Sequence, residues 1–178
     1  LEYFNELKKS MEYISKHKKV VFLGQAVNYP GTAMFNTLKN IPKNKKIELP
    51  VAEDMQMGMS TGLAMNGFVP ITCFPRFDFL ILAFNQLVNH LDKMRSMTNN
   101  KFKPKVIIRT SIGSIKPLNG GVQHTQNYTE IFKKTLTEVK VVYLKDPKTI
   151  FANFKKAYND KNNFSYLFIE NGDFYNEK

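Results

Sequence analysis

One cysteine in 178 residues, Cys73, rules out an internal disulfide and with it the cysteine-stapled scaffolds. Its setting, Val69-Pro70-Ile71-Thr72-Cys73-Phe74, reads as a buried strand, so the thiol is expected to be inert packing. Histidine is equally scarce: His17, His90 and His124 are scattered and lack metal-ligand spacing, so no metal site is expected. The longest apolar stretch, around residues 77–88, is interrupted by Asp78, Asn85 and Gln86, which leaves nothing like the roughly 18 apolar residues of a membrane span. Residues 1–10 alternate charge with apolarity and hold no signal-peptide core. Nine glycines and eight prolines are too few for a fibrous or low-complexity chain. We therefore expect a soluble, cytoplasmic protein whose residues 1–178 form one domain, long enough to bury a core without staples.

Acidic residues are outnumbered, 15 against 26 Lys and Arg, giving a formal net charge of +11. Such a balance suits a nucleic-acid binder. Yet only Arg76, Arg95 and Arg109 are arginines, and phosphate-clamping and base-reading surfaces favour arginine's planar fork. The lysine-bearing stretches 16–19, 43–46, 101–105 and 155–161 accompany no nucleic-acid motif, so they read as solvated faces, or as a surface for an acidic partner subunit. Neither nucleic acid nor membrane is expected as a partner.

What is abundant is a steady alternation of short apolar runs with longer amphipathic ones. Runs at 19–24, 46–49, 69–74, 106–109, 139–144 and 165–169 are rich in Val, Ile, Leu and Phe, as expected of strands covered on both faces in a parallel sheet. Helical patterns lie between them at 32–39, 53–66, 79–97, 129–135 and 147–159. In the third, Ala83, Leu87, Leu91 and Met94 keep helical spacing and should form one core-facing stripe. The alternation predicts an open, wound α/β sheet. In such sheets ligands bind beyond the carboxyl ends of strands, where two glycine-bearing loops fall, at 28–31 and 111–127.

The second strand runs directly into the segment 50–67, PVAEDMQMGMSTGLAMNG. Glu53 falls where strand becomes helix, among methionines that partly desolvate a carboxylate, while the helix N-terminus favours its charge. Two readings stand side by side: a carboxylate that serves only the helix dipole, or one placed for chemistry. Gly58 and Gly62 share one helical face and allow a close neighbour, and Gly67 reads as a helix stop.

This segment resembles the glutamate-bearing segment of thiamine-diphosphate enzymes, in the form found in the beta subunit of the decarboxylating component of pyruvate and branched-chain 2-oxo acid dehydrogenases. The likeness extends along nearly the whole chain. Val21-Phe22-Leu23-Gly24-Gln25-Ala26-Val27 resembles that family's first strand end, Arg76-Phe77-Asp78-Phe79 its Phe-Asn-Phe turn, and Asn85-Gln86-Leu87-Val88-Asn89 its Asp-Gln-x-x-Asn helix. Gln123-His124-Thr125-Gln126 is similar to its Gln-His-Ser-Gln loop, and Ile169-Glu170-Asn171 with Tyr175 to its closing strand. The order and spacing of these motifs carry the resemblance; transketolases share the architecture.

The resemblance implies a pyrimidine-binding, transketolase-like domain: three layers, α/β/α, around a six-stranded parallel sheet. It implies that Glu53 is catalytic and cofactor-binding, sharing a proton with the aminopyrimidine so that its imino form can deprotonate the thiazolium carbon. It implies that Phe79 packs on the aminopyrimidine and that His124 is a catalytic histidine; on the residues alone, Phe79 serves equally as a core aromatic and His124 as a surface polar group. It implies thiamine diphosphate shared with an alpha-type partner subunit that also holds Mg²⁺, in an α2β2 heterotetramer, and a 2-oxo acid or ketone donor for decarboxylation or for two-carbon or acyl transfer. A non-catalytic scaffold or regulatory subunit is the alternative. Gln25, Asn85 and Leu82 replace the family's more usual acid, aspartate and glutamine. Asn171-Gly172-Asp173 superficially resembles the start of the Gly-Asp-Gly diphosphate motif, lacks its second glycine, and is set aside. The family's beta subunits carry a further domain after the region of Tyr175, and that domain lies outside this sequence.

Overall fold

The computed structural model describes residues 2–116 and 118–176. Six strands, β1 (Val20–Gly24), β2 (Lys46–Glu48), β3 (Val69–Phe74), β4 (Ile107–Ile112), β5 (Lys140–Tyr143) and β6 (Tyr166–Asn171), form one sheet. Every pairing is parallel, and the order is β2-β1-β3-β4-β6-β5. All six apolar runs of the sequence are strands of this sheet. The side-chain period of two explains their continuous apolarity. Phe22, Ile71, Ile107 and Phe168 enter one core cluster, whereas Phe74, Ile108, Leu167 and Ile169 enter another.

The first cluster is closed by α1 (Glu2–Ser15), α2 (Ala33–Asn36) and α7 (Pro147–Asn159), the second by α3 (Glu53–Met65), α4 (Phe77–Leu80) and α6 (Thr129–Thr135). The result is the three-layer α/β/α architecture that the resemblance implies. Helix α1 is an addition to the sequence reading. Tyr3, Leu7, Met11 and Ile14 are spaced at helical intervals, all four are buried, and the charged residues among them disguise the stripe. Among the described residues no helix is long and apolar enough to cross a membrane.

The helix expected over 79–97 is broken instead into α4, a 3₁₀ turn (Ile81–Ala83), a π-helical turn (Gln86–Leu91) and α5 (Met94–Met97). The core stripe survives, with Ala83, Leu87 and Leu91 buried and Met94 half-buried. The widened turn, marked by Asp92 N–H donating to Leu87 O at 2.9 Å, delivers the buried Asp92 carboxylate to the loop before β5. There Asp92 Oδ1 accepts from the N–H groups of Thr137, Glu138 and Val139 at 3.0, 2.8 and 2.9 Å, and Oδ2 from Lys93 Nζ at 2.8 Å. Burial works to raise the Asp92 pKa; Lys93 and the three N–H groups outweigh it and hold the carboxyl below its usual value.

Because the folded value lies below the unfolded one of about 3.9, the stability from Asp92 is full above the unfolded value. It is lost as pH falls through the folded one. Asp92→Asn is expected to cost about 2–3 kcal/mol near neutrality, since an amide cannot accept all these donors. The gap between variant and parent should narrow below about pH 4, as urea midpoints across a pH series would show.

Lys105 departs from the expectation of solvated lysine faces. It is half-buried, and its Nζ donates to Tyr158 O and Asp160 O at 2.7 and 2.8 Å, satisfying carbonyls at the end of α7. Helix α2 is also shorter than the 32–39 pattern, although Thr37 and Leu38 extend it as turns with N–H bonds to Met34 O and Phe35 O.

Candidate active site

The chain after β1 crosses one face of the sheet through α2, and the chain after β2 crosses the other through α3. The carboxyl ends of β1, β2 and β3 thus border a crevice where successive connections diverge, the position at which wound sheets hold ligands. A cleft of about 110 Å³ occupies it, with Val51, Glu53, Gln56, Phe74, Arg76 and Phe79 in its wall.

Glu53 is the first residue of α3, and its N-cap, Ala52, offers no side-chain cap. The side chain is nearly buried, 9% exposed, and no described residue hydrogen-bonds or ion-pairs with its carboxylate. Phe79 lies on α4, 39% exposed, and contributes an aromatic surface to the same cleft.

Buried polar contacts hold the strand ends in place. Gln56 Nε2 donates to Thr72 Oγ1 at 2.8 Å and to Cys73 O at 2.9 Å, tying α3 to β3. Gly24, at φ +144°, permits the close approach of β1 to β3, since a Cβ there would stand 2.4 Å from the Cys73 carbonyl oxygen. The Glu48 carboxylate, at the end of β2, accepts from the N–H groups of Ala26, Val27 and Asn28 at 2.6, 2.9 and 2.7 Å and so shapes the loop after β1. Cys73 itself is core packing, as expected, and burial pushes its thiol up to about 11.

His124 arrives from the long loop after β4. Its ring meets Phe79 edge-on, with centroids 5.5 Å apart. Its Nδ1 donates to Gly120 O at 2.8 Å, which assigns the proton of the neutral ring to Nδ1 and leaves Nε2 as an acceptor. The loop is tethered at two points. The Asp173 carboxylate accepts from Ile115 N–H at 2.6 Å and Lys116 N–H at 2.9 Å, and Asp78 Oδ1 accepts from Gln126 N–H at 3.3 Å. Asp173, set aside as a false diphosphate motif, thus has a structural task. His17 stacks on Tyr158 at 4.0 Å, His90 is exposed, and neither lines the cleft.

Glu53, Phe79 and His124, far apart in sequence, are therefore brought into one neighbourhood: two line the cleft and the third touches the second. Residues 8–175 match the family model described as the transketolase pyrimidine binding domain. The chain belongs to that family. Among its relatives, the pyruvate dehydrogenase E1 component subunit beta of Gracilaria tenuistipitata var. liui is 28% identical over 171 residues, covering 94% of this chain and 51% of the relative. The 2-oxoisovalerate dehydrogenase subunit beta of Bacillus subtilis (strain 168) is 26% identical over 162 residues, covering 89% and 48%. This pyrimidine-binding domain thus spans about half the length of the curated relatives it matches. A solved structure of a split-gene transketolase, as an inactive β4 tetramer, superposes with a TM-score of 0.70 at 20% identity, over 96% of this chain and 50% of that one. It supports the fold.

The sequence reading of this domain gave no role to Arg76, Gln56 or Glu48. Arg76 was legible only as part of a turn. The partners of Gln56 and Glu48 lie 16 to 22 residues away and meet them only through strand pairing.

Proposed function

We propose that this chain is the beta-type, pyrimidine-binding part of a split thiamine-diphosphate enzyme acting on a 2-oxo acid or ketone donor. The observation that carries the reading is the Glu53 carboxylate, nearly buried, without a partner among the described residues, and in the wall of the cleft that also presents Phe79. A flat heteroaromatic ring with a basic nitrogen suits such a wall, since it can stack on Phe79 and, once that nitrogen is protonated, donate to the carboxylate the hydrogen bond it lacks. The residues fit that half of the cofactor. They do not fit its Mg²⁺: Glu53 is the one carboxylate among the described lining residues, and no described group of three His, Cys, Asp or Glu side chains could hold a metal.

Thiamine diphosphate, when bound, supplies a carbon acid whose deprotonated form adds to a carbonyl. In this reading Glu53 holds and shares the proton at the pyrimidine nitrogen. Phe79 orients the ring, and His124, with Nε2 free to accept, moves or positions a proton near the substrate.

A partner chain of the alpha type would bring the diphosphate and Mg²⁺ ligands, in an α2β2 assembly. Support for a covering partner comes from the apolar surface beside the cleft. Val51 is exposed, as are Met55 and Met59, one turn apart on α3, and Leu82 on the turn packed against that helix.

Calorimetry tests the shared site. Thiamine diphosphate titrated with Mg²⁺ into the chain alone is expected to bind weakly or not at all, and tightly once a diphosphate-binding partner is added. Tight binding by a monomer of this chain overturns the proposal.

A further inference from the structure

Arg76 stands between two cavities. It lines the Glu53 cleft and a second, polar cavity of about 130 Å³, and the two share Thr32, Pro75 and Arg76 as a common wall. The second cavity opens over the carboxyl ends of β4 and β6, through Ser111 and Gly172, and no acidic side chain is among its described lining residues.

The three arginines of the chain have different fates. Arg109 is buried and paired with Glu170. Arg95 pairs with Glu138 at 3.3 Å and lies over the Phe164 ring at 4.3 Å. Arg76 is half-buried, and no acidic side chain among the described residues comes within ion-pair reach of it. A guanidinium so placed gives up hydration and has no acidic side chain among the described residues within ion-pair reach, so an arriving oxyanion can supply the pairing.

A second donor adjoins it. Thr32 Oγ1 accepts from Phe35 N–H at 3.1 Å, which leaves its own hydrogen to donate, whereas the hydroxyls of Ser111 and Ser114 already donate to Pro75 O and Leu118 O. Gly120 places Arg76 beside His124: a Cβ at Gly120 would meet Arg76 Nη1 at 3.0 Å and His124 Cβ at 2.8 Å.

We propose that Arg76, with Thr32, binds an oxyanion carried by the substrate, a carboxylate or a phosphate ester, and is the substrate-selecting residue of the site. The role as selector rests on the Glu53 cleft being the place of reaction. Binding of the anion itself does not. The planar fork of arginine can grip two oxygens at once, which a lysine cannot do.

Phenylglyoxal, which condenses with accessible guanidinium groups, tests this on the full chain. Labelling read by peptide mass is expected to concentrate on Arg76, because Arg95 and Arg109 are held in ion pairs. Pyruvate and inorganic phosphate, each at constant ionic strength against chloride, serve as probes. Several-fold slowing of Arg76 labelling by either supports the site, and the one effective at lower concentration identifies the class of oxyanion. No labelling at Arg76, or slowing by neither probe beyond that by chloride, overturns it. Protection at least as strong is expected in Glu53→Gln, which removes a negative charge from the cleft that Arg76 also lines. Protection retained there while cofactor proton exchange is unchanged would sink the Glu53 reading alone, and protection lost in the parent would sink the anion site alone.

Discussion

Replacing Glu53 by glutamine is expected to slow proton exchange at the reactive thiazolium carbon of bound thiamine diphosphate by roughly two to four orders of magnitude in the complex with its partner. The physical reason is narrow. Glutamine fills the same volume and can still hydrogen-bond, but it cannot share the proton that the carboxylate shares. Assembly and cofactor affinity should survive, because packing volume is unchanged and no described residue loses a hydrogen bond to the carboxylate. Deuterium exchange at that carbon, followed separately from turnover, isolates the step. Exchange as fast as in the parent complex would return Glu53 to the role of a helix-end carboxylate.

The largest effect on stability is expected at the ion pair beneath the second cavity. Arg109 and Glu170, on neighbouring strands β4 and β6, are both fully buried. Arg109 Nε donates to Glu170 Oε1 at 2.6 Å, Nη2 to Oε2 at 3.0 Å, and Nη1 to Thr37 Oγ1 at 3.1 Å, while the Tyr175 hydroxyl also donates to Glu170. Burial opposes the charge of Arg109, and the Glu170 carboxylate more than offsets it, so the guanidinium holds its proton more firmly than usual. Arg109→Met leaves the carboxylate buried with its main partner gone and is expected to cost about 3–5 kcal/mol. That corresponds to a fall in Tm of about 6–20 °C for a chain of this size. The double replacement Arg109→Met with Glu170→Leu should recover most of the loss, since two apolar groups remove both desolvation penalties. A double variant no more stable than the single one would show that the pair is worth more than apolar packing in its place.

Local pattern and tertiary packing divided the rest between them. The six strands, and the helices over 129–135 and 147–159, were legible because their apolar periods are strong and interrupted by few exceptions. The long helix over 79–97 was not, although its buried stripe was: the π-helical turn follows from the need to bring Asp92 to the N–H groups of 137–139, and those donors are more than 40 residues away in sequence. Helix α1 had its signal in Tyr3, Leu7, Met11 and Ile14, diluted by the charges that lie between them.

The same division holds at the cleft. Glu53, Phe79 and His124 were found through motifs, each read with its local neighbours, and the order of those motifs along the chain was enough to name the family. Motif order says nothing about adjacency, however. That Phe79 and His124 touch, that Arg76 separates two cavities with no ion-pair partner among the described residues, and that Arg109 meets Glu170 rather than solvent depend on which strands become neighbours in the order β2-β1-β3-β4-β6-β5. By itself the sequence determined a wound α/β sheet, its strands and the candidate residues, because apolar period and motif spacing are properties of the chain, and the family resemblance implied the three layers. Only the tertiary structure decided which charges are paired and which remain open to a ligand, because pairing depends on distances across the sheet that no local pattern encodes.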